Sequence, residues 1–397
     1  MESYSFLLFL AIIMISTKIL GLFTRKIHMP AVVGALVAGV ILGPSCLNLI
    51  TLTGDTGVFL EQMAELGVIL LMFNAGLETD LSELKKNGVA SFVTALIGVI
   101  VPLIGGFLGY AFFFHTDFSD YDEVLKAVFV GVVLTATSVS ITVETLREMG
   151  KLKGKVGTTI LGAAVIDDII GIIVLTIVTS LKDTSVSPIT VVLKIVLYFV
   201  FIAVLIFVLT KLKVFVEEQD EKRRTAIICV ALCFILSYIS EEYFGIADTG
   251  AYFAGLMLCT MKVGPYVARR CEIPSYLIFS PVFFASVGLK VTLGGMDASI
   301  WIFAIILLVI AILSKVVGCG LGAKICKFTW KESLQTGVGM ISRGEVALIV
   351  AQKGYASGML DDVLFAPIVL VVIVTTLITP ILLKLVMKDN DSEKAAA

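Results

Sequence analysis

Long apolar runs occupy most of this chain and restrict the folds that it can adopt. Of its 397 residues, 58% are hydrophobic and 16% are charged, whereas soluble globular chains carry about 25% charged residues. A helix of about 20 apolar residues is long enough to cross a bilayer. Hydrocarbon offers no partner for backbone polar groups, and a helix satisfies those groups internally. The sequence therefore predicts an all-α polytopic membrane protein with thirteen transmembrane helices. These predicted spans, numbered in order, cover 5–22, 31–45, 58–77, 88–114, 123–148, 156–181, 188–212, 223–243, 247–261, 275–290, 299–323, 333–353 and 361–386.

Lysine and arginine residues are distributed unevenly between the loops. The loops after odd-numbered spans, together with the C-terminal segment, hold 22 of these residues, and the loops on the other side hold 4. Cytoplasmic loops are enriched in these residues, so the imbalance places the N-terminus outside and the C-terminus in the cytoplasm. We expect a multi-pass protein of the cell (inner) membrane. The first apolar run lacks a basic start and a cleavage site, which favours a retained span over a signal peptide.

Two pairs of similar segments indicate an internal repeat. GALVAGVIL from Gly34 matches GAYFAGLML from Gly250 at an offset of 216 residues. FNAGLETDL, which contains Gly76, matches FASVGLKVTL, which contains Gly288, at an offset of 212. Each pair lies seven spans apart, so the second copy enters the membrane from the opposite face. This pattern predicts an inverted-topology repeat, a common plan in secondary transporters, and relates spans 4–6 to spans 11–13.

Spans 5 and 12, which the repeat relates, have the most polar interiors. Span 5 contains LTATSVSITVE and span 12 contains GVGMISRGEVALIV. Helices broken at repeat-related positions are a sequence indication of a transporter site, because irregular backbone at membrane depth lines cavities. In span 5 the hydroxyls could instead bond to carbonyls of their own helix. The candidate ion- or proton-binding residues here are Thr137 and Ser138, and Thr135, Arg343 and Glu345 are supporting residues.

Two adjacent carboxylates, Asp167 and Asp168, lie within the apolar segment GAAVIDDIIGIIVL of span 6. An acid at this depth costs a few kcal/mol on insertion scales, so it marks a functional site by default. Neighbouring helical residues point about 100° apart, so the two carboxylates serve different partners. One can pair with a cation such as Lys315 of span 11, and the other can face an aqueous cavity. A buried Asp–Lys pair that only holds helices together is the structural alternative for Asp167.

The two protonation states of such an acid, ionised and protonated, are sufficient for ion exchange. An ionised carboxylate among hydroxyl and carbonyl oxygens suits a hard cation such as Na⁺ or Li⁺, and a protonated carboxyl no longer attracts it. We therefore expect Asp168 to bind either a proton or an alkali ion. We expect no enzyme activity, no cofactor and no nucleic-acid partner. The alternatives are an intramembrane aspartyl protease and a cation channel. The sequence contains no GxGD motif of the kind such a protease uses, and no repeated selectivity-filter loop of a channel is visible.

Several motifs together resemble the monovalent cation:proton antiporter superfamily. They are LTATSVSITVETLREMGKLKGKVGTTILGAAVIDDIIGIIVL, LSKVVGCGLGAK and GVGMISRGEVALIVAQKG, with VVGALVAGVILGP and LMFNAGLETDL nearer the start. The branch with adjacent aspartates, the bacterial electrogenic sodium/proton antiporters, looks most similar. The resemblance implies that Asp168 is the principal ion- and proton-binding aspartate. It also implies that Asp167 pairs with Lys315 in the ion-free state, and that residues 135–138 form the extended stretch of the first crossing helix.

The resemblance further implies a domain organisation and an exchange stoichiometry. Helices of residues 88–187 and 299–388 would form the core domain, and those of 1–87 and 223–298 the dimerisation domain of a homodimer. Residues 188–222 would link the halves, and 389–397 would form a cytoplasmic tail. Asp167 and Lys315 differ from the asparagine and arginine of electroneutral relatives, which favours two protons per sodium ion. A potassium/proton or broad-specificity exchanger is the alternative.

Overall fold

The computed structural model describes most of the chain, and most of its described residues are helical. They are 4–26, 29–52, 54–182, 223–244, 247–290, 297–356, 358–360 and 362–388, with a few positions between 193 and 204. Most of the predicted linker 188–222 and all of the predicted tail 389–397 lie outside these residues. Fifteen α-helices are followed below as α1 Ser5–Lys26, α2 Ala31–Leu42, α3 Gly54–Glu78, α4 Leu81–Phe114, α5 Tyr121–Thr135, α6 Val139–Glu148, α7 Lys155–Lys182, α8 Arg223–Phe244, α9 Ala247–Leu258, α10 Gly264–Pro274, α11 Ser280–Leu289, α12 Ala298–Ile325, α13 Trp330–Gly339, α14 Glu345–Ala356 and α15 Asp362–Val386.

The helices differ from the predicted spans mainly where a span is divided. Span 5 is divided into α5 and α6, and span 12 into α13 and α14. Span 10 begins earlier than predicted, because α10 continues through a π-helical turn, Ser275–Phe279, into α11. Within the described residues, nine helical segments are long and apolar enough to cross a membrane, counting α5–α6 and α10–α11 as one each. The helix α2 is a shorter apolar one.

Packing sorts these helices into two groups. In the first, which we call the crossing group, α4 packs against α5, α7 and α12, and α12 packs against α13 and α15. In the second, which we call the flanking group, α2 packs against α1 and α11, while α3 packs against α9 and α11. Contacts between the groups run through α6, which touches α2 and α3, and through α15, which touches α2. The division into core and dimerisation domains stays a prediction, but its helices coincide with these groups.

Two close glycine contacts in the flanking group are related by the internal repeat. A Cβ atom on Gly39 of α2 would lie 2.9 Å from the Cα atom of Gly288 in α11. A Cβ atom on Gly255 of α9 would lie 2.9 Å from the Cα atom of Gly76 in α3. Gly39 corresponds to Gly255, and Gly288 to Gly76, at the same offsets as in the sequence. Each half of the chain therefore supplies one helix to each contact, and only glycine allows the backbones to approach so closely.

Candidate functional site

Two helix breaks meet inside the crossing group. The helix α5 ends at Thr135 and α6 begins at Val139, while α13 ends at Gly339 and α14 begins at Glu345. The backbone N–H of Ser138 donates to the carbonyl of Ser342 at 2.7 Å, so the two extended stretches are bonded to each other. Within a membrane each unpaired backbone group is costly, and this bond satisfies one donor and one acceptor. The ends of four half-helices consequently lie close together, and their partial charges can act on an ion.

The fully buried Arg343 fills the space beside the breaks. Its Nη2 atom donates to the carbonyls of Leu134 at 2.8 Å and Ala311 at 3.0 Å, and its Nη1 atom donates to Ile341 at 3.0 Å. The side chain of Thr376 donates to the Arg343 carbonyl. Leu134 lies in the last turn of α5, whose carbonyls have no partner within that helix. Arg343 therefore supplies donors to carbonyls of three segments, including a helix C-terminus.

The predicted role of Glu345 lies partly outside the described residues. Its backbone begins α14, but its side chain is not among the residues that the structure describes. The guanidinium of Arg343 bonds to backbone carbonyls near the breaks. The supporting role of Glu345 stays a prediction.

Asp167 and Lys315 form a buried pair between α7 and α12. The Lys315 Nζ atom lies 3.2 Å from both carboxylate oxygens of Asp167, and the two side chains are 0% and 1% exposed. Both charges are thereby removed from water, so each depends on the other for compensation. This is the contact that the resemblance implied, and it joins two long helices of the crossing group.

Asp168 has a different environment from its neighbour. It is also buried, at 6% exposure, yet neither of its carboxylate oxygens has a hydrogen-bond partner in the described part of the chain. An ionised carboxylate without a partner is unstable in a medium of low dielectric constant. The chemical consequence is that this group needs either a proton or a cation.

The three hydroxyls predicted from span 5 are not equivalent. The Thr135 hydroxyl donates to the carbonyl of Val132 at 2.7 Å, so it is satisfied within its own helix. The Ser138 Oγ atom lies 3.3 Å from the Oγ atom of Ser140. The Thr137 hydroxyl is near the Asp167 carboxyl and, among the described residues, has no partner in hydrogen-bond geometry. Of the three, Thr137 is therefore the hydroxyl most available to a ligand.

Two charged residues outside the predicted site make contacts that were not predicted from the sequence. Asp248 lies in the first turn of α9, where its carboxylate accepts a hydrogen bond from the backbone N–H of Thr249 at 2.8 Å. The sequence signal was an acid two positions before Gly250 in the repeated glycine motif. At the opposite end of α6, Arg147 pairs with Glu78 of α3 at 3.0 Å and with Glu272 of α10 at 3.1 Å. The sequence carries no signal for these partners of Arg147.

Comparison with known proteins shows where this architecture occurs. The family model described as sodium/hydrogen exchanger, transmembrane, matches residues 9–389. The chain is 39% identical to the Na(+)/H(+)-K(+) antiporter GerN of Bacillus cereus, over 99% of each chain. It is 38% identical to a Na(+)/H(+) antiporter of Enterococcus hirae, over 94% of this chain and 96% of that protein.

A solved structure has the same fold. The sodium proton antiporter MjNhaP1 from Methanocaldococcus jannaschii superimposes with a TM-score of 0.64 at 17% identity, and 97% of each chain is covered. The predicted sodium/proton antiporter fold is therefore confirmed. With the family match over nearly its whole length, the chain belongs to the transmembrane sodium/hydrogen exchanger family of membrane transporters.

Proposed function

We propose that this protein is an electrogenic sodium(lithium)/proton antiporter of the cell membrane, in which protons and the cation compete for Asp168. The observation that carries the proposal is the pair of adjacent acids in unequal settings. Asp167 is compensated by Lys315 at 3.2 Å, while the buried carboxylate of Asp168 has no partner among the described residues. The names of the Bacillus and Enterococcus relatives support antiport of Na⁺ and H⁺.

Competition at one carboxylate couples the two ions. When Asp168 is ionised, a small alkali cation can bind to it, with oxygen ligands available from the Thr137 hydroxyl and the carbonyls at the breaks. When Asp168 is protonated, the charge that attracts the cation is gone. The site can therefore change its access from one side of the membrane to the other with either ion bound. It carries the cation in one direction and protons in the opposite direction.

The second proton comes from the Asp167–Lys315 pair. Binding of the cation draws Asp167 away from Lys315, and the lysine, left in an apolar interior without its counter-ion, releases a proton to water. Asp168 and Lys315 together release two protons for each cation bound. One net positive charge then crosses the membrane per cycle, which makes the exchange electrogenic.

Movement between the two access states follows the packing groups. The crossing group, within residues 88–187 and 299–388, carries Asp168 past the flanking group, within residues 1–87 and 223–298. The flanking group forms the contact of a homodimer, and residues 188–222 link the halves. The N-terminus lies outside and the C-terminal segment in the cytoplasm, as the distribution of lysine and arginine predicts.

Potassium is the competing substrate, because one relative is named a Na(+)/H(+)-K(+) antiporter. The spacing of oxygen ligands determines which ion size a site prefers. The test of the proposal therefore supplies Na⁺, Li⁺ and K⁺ separately. The protein is reconstituted into liposomes that contain a pH-sensitive dye, with the membrane potential either clamped or free.

We expect a Na⁺ or Li⁺ gradient to move protons in the opposite direction, faster when the potential is clamped at zero. Asp168→Asn liposomes are the control for leakage. Proton flux driven better by K⁺ than by Na⁺ or Li⁺ would show that K⁺ is the substrate in place of Na⁺. A pH change equal in Asp168→Asn and unaltered liposomes would contradict the whole proposal, and flux insensitive to the clamp would contradict its electrogenic part.

A further inference from the structure

We propose that a cavity between α1 and α6 is a binding site for an anionic phospholipid, of which phosphatidylglycerol is a simple example. The cavity has a volume of about 290 Å³ and is lined by α1, α2, α6, α11 and the π-helical turn before α11. Neither Asp167 nor Asp168 lines it, so it is separate from the ion site. An occupant contacts the flanking group and α6 at once.

One face of α1 supplies much of the lining. Its lining residues recur at intervals of three and four, the spacing of one helical face. They are Met14, Thr17, Lys18, Gly21, Leu22 and Arg25. This face runs over roughly 16 Å from an apolar residue at its inner end to a basic residue in the last turn. A phospholipid has the same polarity along its length, with acyl chains inside the membrane and a phosphate at its surface.

Lys18 is the basic residue of this face that has no counter-charge. Its Nζ atom donates to the Tyr276 hydroxyl at 3.0 Å and lies 5.3 Å from the centre of that ring. Among the described residues, no carboxylate forms an ion pair with Lys18. It lies seven residues before Arg25, or roughly 10 Å deeper in the membrane. A cation at this depth needs a polar or anionic partner, and a lysine near a helix end extends toward the headgroups.

The acids that line the cavity already have partners. Glu148 accepts a hydrogen bond from the backbone N–H of Ala31 at 2.8 Å, and its other oxygen lies 3.9 Å from the Arg25 Nη2 atom. Glu144 pairs with Arg147 at 4.0 Å. The guanidinium of Arg25 is 52% exposed, and 3.9 Å is too long for a hydrogen bond. Its donors can therefore bind a phosphate, whose single negative charge also compensates the lysine below.

The cavity opens onto a surface that faces lipid. Leu22, Tyr276 and Leu277 line it and are 50%, 49% and 52% exposed. These residues belong to helical segments that are long and apolar enough to cross a membrane, so acyl chains cover their exposed surface. The lining continues inward through apolar side chains such as Phe284. Basic pockets between transmembrane helices on the cytoplasmic side, where the proposed topology places Arg25, suit anionic headgroups.

The first test measures lipid binding to the detergent-solubilised protein by native mass spectrometry, which does not depend on transport activity. Phosphatidylglycerol and phosphatidylcholine with the same acyl chains are the probes. We expect phosphatidylglycerol to bind at least about fivefold more tightly, the contribution of one basic residue near an anionic lipid. Lys18→Gln should remove this preference. Lys331→Gln, at an exposed position of α13, is the matched control for loss of one charge and should keep it.

A pair of tryptophan variants tests whether the lipid occupies this cavity. Leu22→Trp places a larger side chain at the opening, while Leu8→Trp makes the same change on α1 at a position that is 61% exposed and outside the lining. We expect Leu22→Trp to weaken phosphatidylglycerol binding at least about fivefold, the lower limit for overpacking an occupied space. Leu8→Trp should leave the affinity unchanged.

Equal affinities for the two lipids, or an unaltered preference in Lys18→Gln, would overturn the proposal. Equal affinities of the two tryptophan variants would also overturn it, because the lipid would then bind elsewhere. Glycerol 3-phosphate that binds as tightly as the lipid would show an aqueous anion site in its place. If Lys18→Gln does not fold, the tryptophan pair decides.

Discussion

The backbone amide of Ser138 donates to the carbonyl of Ser342 at 2.7 Å, which ties the first half of the chain to the second at their helix breaks. The bond lies beside Arg343, whose guanidinium holds carbonyls from α5, α12 and the second break. The irregular backbone at membrane depth is therefore cross-linked by donors from both repeats. Changes in this small region should affect the whole crossing group, because its hydrogen bonds join α5, α12 and the second break.

Arg343→Lys should lower stability although it keeps the charge. An ammonium group cannot reach the carbonyls of Leu134, Ala311 and Ile341 together, and each carbonyl left unsatisfied costs about 1–3 kcal/mol. We expect a clearly lower midpoint of thermal unfolding in detergent. Arg224→Lys, at an exposed position of α8, is the matched control and should unfold as the unaltered protein does. Equal midpoints for the two variants would show that the three hydrogen bonds contribute little.

Lys315→Gln should destabilise the protein by about 3–5 kcal/mol, because it leaves the buried Asp167 carboxylate without a counter-charge. The double variant Asp167→Asn/Lys315→Gln removes both charges and should recover most of that loss. The stabilities of these variants are compared by thermal unfolding, and their transport is measured with and without a voltage clamp. A voltage response in Lys315→Gln equal to that of the unaltered protein would argue against lysine as the source of the second proton.

Asp168→Asn should abolish cation-driven proton movement and leave folding intact. The amide is nearly isosteric with the carboxyl group, but it binds neither a proton nor a cation at neutral pH. Since the carboxylate has no partner among the described residues, the neutral variant should unfold at the same temperature or higher. Transport is followed with the pH dye and folding by thermal unfolding. Retained exchange would remove Asp168 from its proposed role.

Arg147→Gln should loosen the contact between the two packing groups at the end of α6. Partly exposed ion pairs contribute about 0.2–1 kcal/mol each, so loss of the bonds to Glu78 and Glu272 should change global stability little. The expected result is faster hydrogen exchange of the α6 and α3 backbone ends. Arg269→Gln, an exposed change on α10, serves as the control. Unchanged exchange at α6 would show that these pairs do not hold the groups together.

Gly76→Ala should destabilise the flanking group, because the new methyl group would meet the backbone of α9. Overpacking of this kind costs about 1–3 kcal/mol. Gly88→Ala in α4 is the control, since a Cβ atom there meets nothing within 4 Å. The control should be neutral or slightly stabilising, as alanine favours helix over glycine by about 0.5–1 kcal/mol. Similar melting temperatures for both variants would contradict a close contact at Gly76.

The sequence predicted the features that depend on rare residues within apolar runs. Asp167, Lys315 and the polar stretches of spans 5 and 12 are conspicuous because a membrane tolerates few polar groups. The repeat was predictable because two glycine motifs recur at nearly one offset. The partners of Arg343 were not, since they are carbonyls and every residue carries one. The contacts of Arg147 with Glu78 and Glu272 depend on how separate helices pack, which one sequence does not reveal.

The reciprocal glycine contacts have a consequence for synthesis. Gly39 has its partner in Gly288, so α2 leaves the ribosome long before the helix against which it packs. At about 5–20 residues per second, the intervening chain takes roughly 10 to 50 s to translate. During that interval the surface of α2 around Gly39, which later contacts α11, faces lipid or an insertion factor. Neither half can complete its own packing, and the final tertiary structure must form after the later helices have entered the bilayer.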